Sequence, residues 1–165
     1  MRLLVIEDEI ELADSIISFI GKEGFNCDKT DKFEEAKSLL NINEYDFALV
    51  DIMLPDGSGI DLINIIKHKQ PRCGIIVISA KGSLEDKLRG LEIGADDYLT
   101  KPFHLAELNA RIKSVIRRKD FDGNNIININ ELSVDFEKRE LRVNGSYVEL
   151  SKREFDIIIF FISNR

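Results

Sequence analysis

Leu3-Leu4-Val5-Ile6-Glu7-Asp8-Glu9 opens the chain with four consecutive apolar residues that end abruptly in three carboxylates. A strand with one wet face alternates apolar and polar residues, so an unbroken run fits a strand buried on both faces, as in a parallel sheet covered by helices. Ile75-Ile76-Val77-Ile78 repeats the pattern. Working outward, strands are predicted over Leu3–Ile6, Phe25–Lys29, Phe47–Val50, Ile75–Ile78 and Tyr98–Thr100. Amphipathic stretches between and after them predict helices over Ile10–Ile20, Phe33–Leu40, Ile60–His68, Leu84–Ile93 and Leu105–Arg117. Gly21, Gly24 and Gly94 lie where helices should stop. Strict alternation of strand and helix predicts an α/β fold with helices on both faces of the sheet.

Composition narrows the class. At 165 residues the chain is slightly longer than one domain of about 150 residues. Hydrophobic residues make up 44% and charged residues 32%, which supports a full core beneath a charged surface. No apolar run approaches the roughly 18–20 residues that span a bilayer, so neither a membrane segment nor a secretion signal is expected. The net charge of −7 argues against nonspecific nucleic-acid binding. Cys27 and Cys73 are too few for a disulfide framework and lack zinc-ligand spacing, so both are expected as small core residues of a cytoplasmic protein. His68 and His104 have no partners at metal spacing and receive no role.

After Arg118 the pattern breaks. Residues 119–125 are polar and read as a linker, separating a first domain over 1–118 from a second unit over 126–165. Short strands are predicted at Ile126–Ile129, Leu132–Phe136, Glu140–Val143 and Tyr147–Glu149, with Asn144-Gly145 as a hairpin turn. Ser151-Lys152-Arg153-Glu154 fits a capping box, so a helix should open there and run through Phe155 to Ile162. With the linker, this part has 47 residues, few for a self-sufficient domain, and is expected to belong to something larger.

In an open α/β sheet, ligands bind beyond the carboxyl ends of the strands where strand order reverses. The first predicted strand leads into Glu7 and Asp8, the third into Asp51, the fourth into Ser79, and the fifth into Lys101-Pro102. Any one acidic loop residue usually just meets solvent, but together these place three carboxylates, a hydroxyl and an amine on one edge. Clustered carboxylates repel one another and invite a hard divalent cation. Magnesium fits best, because it binds oxygen, retains waters and works beside phosphate. Aspartate can also attack phosphorus to form an acyl phosphate. No glycine-rich phosphate loop is present to suggest a nucleotide.

Glu7-Asp8, Asp51 with Met53-Leu54-Pro55-Asp56-Gly57, Ser79-Ala80 and Lys101-Pro102-Phe103, in this order and spacing, resemble the receiver domain of a bacterial two-component response regulator. The likeness spans nearly all of residues 1–118, and the stretch from Lys87 to Tyr98 resembles the OmpR/PhoB subfamily. It implies a flavodoxin-like (βα)5 fold with strand order 2-1-3-4-5. It also implies that Asp51 accepts a phosphoryl group from a sensor histidine kinase. Asp8, Asp51 and the Met53 carbonyl would hold magnesium, with Glu7 acting through water. Lys101 would pair with Asp51 and then with the phosphoryl oxygens, and Lys101–Pro102 would be cis. Ser79 and Tyr98 would form the switch: the hydroxyl is drawn toward phosphate and the ring turns inward.

The same resemblance implies a homodimer through the fourth helix, fifth strand and fifth helix. Lys87 would pair with Glu107, Asp97 with Arg111 and Asp96 with Arg118, and Leu91 would add apolar burial. The alternative is a solvated face on which Glu107 and Arg111 pair along their own helix. Leu132-Ser133-Val134-Asp135, Leu141-Arg142-Val143-Asn144-Gly145 and Leu150 to Phe155 resemble the leading sheet and first helix of a winged-helix DNA-binding domain. Its recognition helix would lie beyond Arg165, so promoter DNA is an expected partner of the intact protein and not of this chain. Two rivals remain. One is a receiver-shaped interaction module that is never phosphorylated, against which the complete set of Glu7, Asp8, Asp51, Ser79 and Lys101 speaks. The other is a magnesium-dependent phosphatase, but haloacid-dehalogenase-like enzymes carry Asp-x-Asp after their first strand, whereas Asp51-Ile52-Met53 lacks the second aspartate and follows the third strand.

Overall fold

A computed structural model describes residues 1–80, 93–120, 126–135 and 138–163. In chain order the first unit contains β1 (Arg2–Ile6), α1 (Ile10–Lys22), β2 (Asn26–Thr30), α2 (Phe33–Ile42), β3 (Phe47–Asp51), β4 (Met53–Leu54), β5 (Gly57–Ser58), α3 (Gly59–Lys69), β6 (Gly74–Ser79), β7 (Asp97–Thr100) and a helix over Leu105–Asp120. Of the helix predicted over Leu84–Ile93, residues 84–92 lie outside the described residues and Ile93 stands in a turn. Every predicted strand of the first unit is present, and its ends move by at most one residue. The linker reading shifts more, since the Leu105–Asp120 helix runs through Lys119 and Asp120. Residues 121–125 lie outside the description.

The large sheet is parallel, ordered β2-β1-β3-β6-β7, which is 2-1-3-4-5 when its strands are counted alone. All five residues of β3 and all six of β6 are buried, the result expected of strands that lack polar alternation. Successive side chains point to opposite faces. One face brings Leu4, Ile6, Ala48, Val50, Ile75 and Val77 against Leu62, Ile63 and Ile66 of α3 and Ala36 and Leu40 of α2. Their alternates Leu3, Val5, Phe47, Leu49, Ile76 and Ile78 are equally buried on the other face. There, Gly74 lies so close to Phe47 and Val115 that a Cβ would fall 2.6 Å and 3.2 Å from their side chains. Cys73 is buried as expected, but Cys27 is only half-buried because it lies on edge strand β2.

The amino-terminal rim of the sheet is held by polar contacts. Arg2 Nε donates to Asp28 at 2.8 Å, and the Tyr45 hydroxyl donates to the same carboxylate at 2.9 Å. The carboxyl-terminal rim is thereby left to the functional groups. Order reverses between β1 and β3, whose register pairs Ile6 with Val50 and so sets Glu7 beside Asp51.

The second unit contains β8 (Ile126–Ile129), β9 (Leu132–Asp135), β10 (Glu140–Val143), β11 (Ser146–Val148) and a helix over Lys152–Ser163. Its sheet is antiparallel, ordered β11-β10-β9-β8. Asn144 and Gly145 turn the β10–β11 hairpin at φ of 50° and 79°, the left-handed region that this residue pair enters at low cost. The capping box forms as predicted: Ser151 N–H donates to the Glu154 carboxylate at 2.8 Å and Glu154 N–H to Ser151 Oγ at 3.4 Å. Val134, Leu141 and Phe155 make a small core with Leu132, Val148 and Ile158. Among the described residues no helix is long and apolar enough to cross a membrane.

Ile66 is fully buried between α3 and the sheet. Truncation by Ile66→Ala is expected to cost about 2–5 kcal/mol, through lost burial and the cavity left behind. A urea unfolding curve followed by circular dichroism checks this, and an unchanged midpoint would contradict the packing.

Candidate functional site

Glu7, Asp8 and Asp51 occupy the β1–β3 switch point, and one carboxylate oxygen from each lies within 4.8 Å of the others. Glu7 and Asp51 are 1% and 4% exposed, whereas Asp8 is open to solvent. Two buried anions so close together need a counter-charge. Lys101 supplies it, with Nζ donating to Glu7 Oε1 at 2.5 Å and to Asp51 Oδ2 at 2.7 Å. Register brings it there: β7 pairs Thr100 with Ser79, and Lys101 N–H donates to the Ser79 carbonyl at 2.9 Å. The Lys101–Pro102 peptide bond is cis, as the resemblance implied. Ser79 ends β6 and is buried beside this strand pair.

The electrostatics follow from burial. Loss of water pushes the Glu7 carboxyl up to about 7, with the Asp51 charge adding to the rise and Lys101 opposing it. Burial alone would lower the Lys101 ammonium, but its hydrogen bonds to Asp51 and Glu7 outweigh burial and the net direction is upward. Glu7 Oε2 is buried and has no hydrogen-bond partner among the described residues. An unmet anionic oxygen beside two further carboxylates fits a hard divalent cation. Glu7, Asp8 and Asp51 are therefore the residues that could hold a metal.

Local backbone positions the acceptor. Met53 N–H donates to Asp51 Oδ1 at 2.9 Å, which orients the carboxylate. Met53 itself is exposed, on a short hairpin in which β4 pairs antiparallel with β5. Gly59 is a site residue that the sequence reading missed. Its N–H donates to the Ile52 carbonyl at 2.9 Å, and a Cβ there would fall 1.9 Å from the Asp51 carbonyl oxygen. A glycine at the first position of a helix behind a strand-end aspartate was the available signal. Asp56 belongs to the motif that follows Asp51, and its carboxylate accepts the N–H of Phe33 at 2.7 Å and of Glu34 at 3.3 Å.

These observations meet in one comparison. The model of the family described as response regulator receiver domain matches residues 3–113. The chain belongs to the response regulator receiver family. Cell cycle response regulator CtrA of Brucella anthropi is 37% identical over 158 residues, which cover 96% of this chain and 68% of that protein. Response regulator DrrB of Thermotoga maritima, an OmpR/PhoB homolog, aligns over 99% of this chain and 72% of its own with a TM-score of 0.66 at 26% identity. The receiver domain of Francisella response regulator 1452 aligns over 71% of this chain and 97% of its own, with a TM-score of 0.66 at 35% identity. This receiver is part of a phosphorylation-activated two-component response regulator, and antiparallel strands follow it.

On the receiver's far edge, Tyr98 is 8% exposed and packs within the core that contains Ile63, Ile66 and Ala95. Asp97 accepts two bonds from Arg111 Nη1, at 2.9 Å and 3.1 Å. Arg111 also reaches Glu107 at 2.9 Å, so the same-helix pairing expected of a solvated face is present within one chain. Asp96 accepts from Ile75 N–H at 2.8 Å and from Lys67 at 3.2 Å. Lys87 and Leu91, and the side chain of Arg118, lie outside the described residues.

Two measurements test the site. Gly59→Ala forces a methyl group into the Asp51 carbonyl and is expected to destabilise the fold by at least about 1–3 kcal/mol, the scale of overpacking. Equal urea midpoints for variant and parent would contradict that approach. The raised Glu7 value means that the folded state holds this proton more tightly than the unfolded chain. Its stabilising contribution is full below the ordinary glutamate value and is lost as pH rises through about 7. In chelator-treated protein, unfolding free energy should fall between pH 5 and pH 8, and Glu7→Gln should flatten that slope.

Proposed function

We propose that Asp51 is the phosphoryl acceptor of this receiver, supplied by a sensor histidine kinase. The observation that carries the reading is the Lys101 ammonium shared between buried Asp51 and Glu7, beside a carboxylate set that fits a cation. In the transfer an Asp51 carboxylate oxygen forms a bond to phosphorus as the bond from phosphorus to the donor breaks, and the donor leaves with that electron pair. Magnesium, held by Asp8, Asp51 and the Met53 carbonyl with Glu7 acting through water, would stabilise charge on the phosphoryl oxygens. Lys101 offsets the remaining charge from the opposite side, and burial strengthens that attraction. Met53 N–H keeps one Asp51 oxygen oriented.

After transfer, the Ser79 hydroxyl donates to the new oxygens, a local charge change that biases a packed two-state element; the Tyr98 ring, expected to turn inward at that step, is already packed in the core before it. Dimerisation through Asp96, Asp97, Glu107 and Arg111, with Lys87, Leu91 and Arg118, then requires the intrachain pairs of Arg111 and Asp96 to be exchanged for pairs between copies. Exposed pairs contribute about 0–1 kcal/mol each, so they set orientation more than affinity. The receiver spans 1–118, with its last helix running on through Asp120, and the leading part of a winged-helix domain spans 126–165. Promoter recognition is assigned to the intact protein, a cytoplasmic transcription regulator. The receiver promotes its own aspartyl phosphorylation and dephosphorylation without being a turnover enzyme.

Intact mass after incubation with a small phosphoryl donor tests this. One magnesium-dependent phosphoryl group is expected on the parent and none on Asp51→Ala. No adduct on the parent would favour the interaction module, and continuous rapid consumption of donor would favour a phosphatase.

A further inference from the structure

Helix α2 begins without a cap of its own. Lys32 at its N-cap makes no side-chain cap hydrogen bond, yet the first N–H groups of a helix need acceptors. They find one 23 residues downstream. Asp56, at the tip of the β4–β5 hairpin, places Oδ1 2.7 Å from Phe33 N and Oδ2 3.3 Å from Glu34 N. The two amides hold the Asp56 carboxyl below its ordinary value, the Phe33 bond contributing most. The neighbouring contact is equally close. At Gly57 a Cβ would fall 2.6 Å from the Phe33 ring, so the hairpin backbone lies directly against α2.

The other end of the hairpin is fixed too. Ser58 Oγ accepts from Ile60 N–H at 3.3 Å, capping α3, and Gly59 is locked against Asp51 and Ile52. Between these anchors, β4 has only two residues, Met53 and Leu54, paired to Ser58 and Gly57. A two-stranded hairpin of this size has little stability of its own. Its geometry therefore depends on the ends, and one end is the Asp56 carboxylate.

We propose that Asp56 is a positioning residue for the phosphorylation pocket. By accepting the α2 amides it anchors the hairpin that carries Met53, and so fixes the Met53 carbonyl and the Met53 N–H bond to Asp51 where the cation and phosphoryl group require them. This rests on the pocket reading above. Asp56 touches neither cation nor phosphoryl group, and its effect passes through backbone.

Magnesium titrated alone into the full chain by calorimetry tests the proposal, with the parent beside Asp56→Asn, Asp56→Glu and Asp56→Ala. Asparagine keeps the capping geometry without the charge, and glutamate keeps the charge without the geometry. Asp56→Asn should retain most of the affinity. Asp56→Glu and Asp56→Ala should each lose about tenfold, the low end for loss of an outer-shell partner. Asn41→Gly, which weakens α2 in its last turn away from the clamp, should leave affinity unchanged. Equal losses in Asp56→Asn and Asp56→Ala, retention in Asp56→Glu, or a matching loss in Asn41→Gly would overturn the proposal. Magnesium uptake by the parent equalled by Asp56→Ala would overturn it alone, whereas no uptake by the parent would overturn the pocket reading with it.

Discussion

The Lys101 ammonium, wedged between Glu7 and Asp51 and only 18% exposed, is the contact on which the receiver's rim depends. Two carboxylates with almost no access to water would repel each other and pay a large desolvation cost if left alone. One cation shared between them makes the arrangement tolerable without making it complete, because Glu7 Oε2 still lacks a partner among the described residues. A pocket in that condition has charge to give to an incoming cation. In the proposed transfer, Lys101 is the group that would turn from the bare carboxylates toward the phosphoryl group.

That contact spans 94 residues between Glu7 and Lys101, and the sheet makes it possible. Parallel strands deliver all their carboxyl ends to one rim, and strand order reverses between β1 and β3. The reversal sends the following helices to opposite faces and leaves a crevice where the chain ends of β1 and β3 stand side by side. The apolar runs that bury both faces of β3 and β6 thus have a functional consequence. They hold Asp51 and Ser79 at the ends of strands that cannot shift register without exposing the core.

The charged edge away from the pocket holds its residues in pairs within one chain, and the proposed dimer would draw on the same residues. Within one chain Arg111 holds Asp97 and Glu107, and Asp96 holds Lys67 and the Ile75 amide. These bonds are partly solvated and individually weak. A face built from weak intrachain pairs can exchange them for pairs with a second copy at little net cost. The buried ring of Tyr98, on the strand that carries Asp97, joins this edge to the core.

Much of this was legible in the chain itself. Leu3–Ile6 and Ile75–Ile78 read as buried parallel strands because their lack of alternation is a local property, and Glu7, Asp8, Asp51, Ser79 and Lys101 could be gathered because each follows its strand directly. Asn144-Gly145 and Ser151–Glu154 were equally readable, since hairpin turns and capping boxes act over two to four residues. Tertiary structure alone decided what acts across elements. It gave the α2 amides to Asp56, set Gly59 against the Asp51 carbonyl, chose Asp97 as a second partner for Arg111 and extended the last receiver helix into the stretch read as linker. Sequence periodicity records which face of an element is buried. It carries no record of which distant backbone group that burial brings within a hydrogen bond's reach.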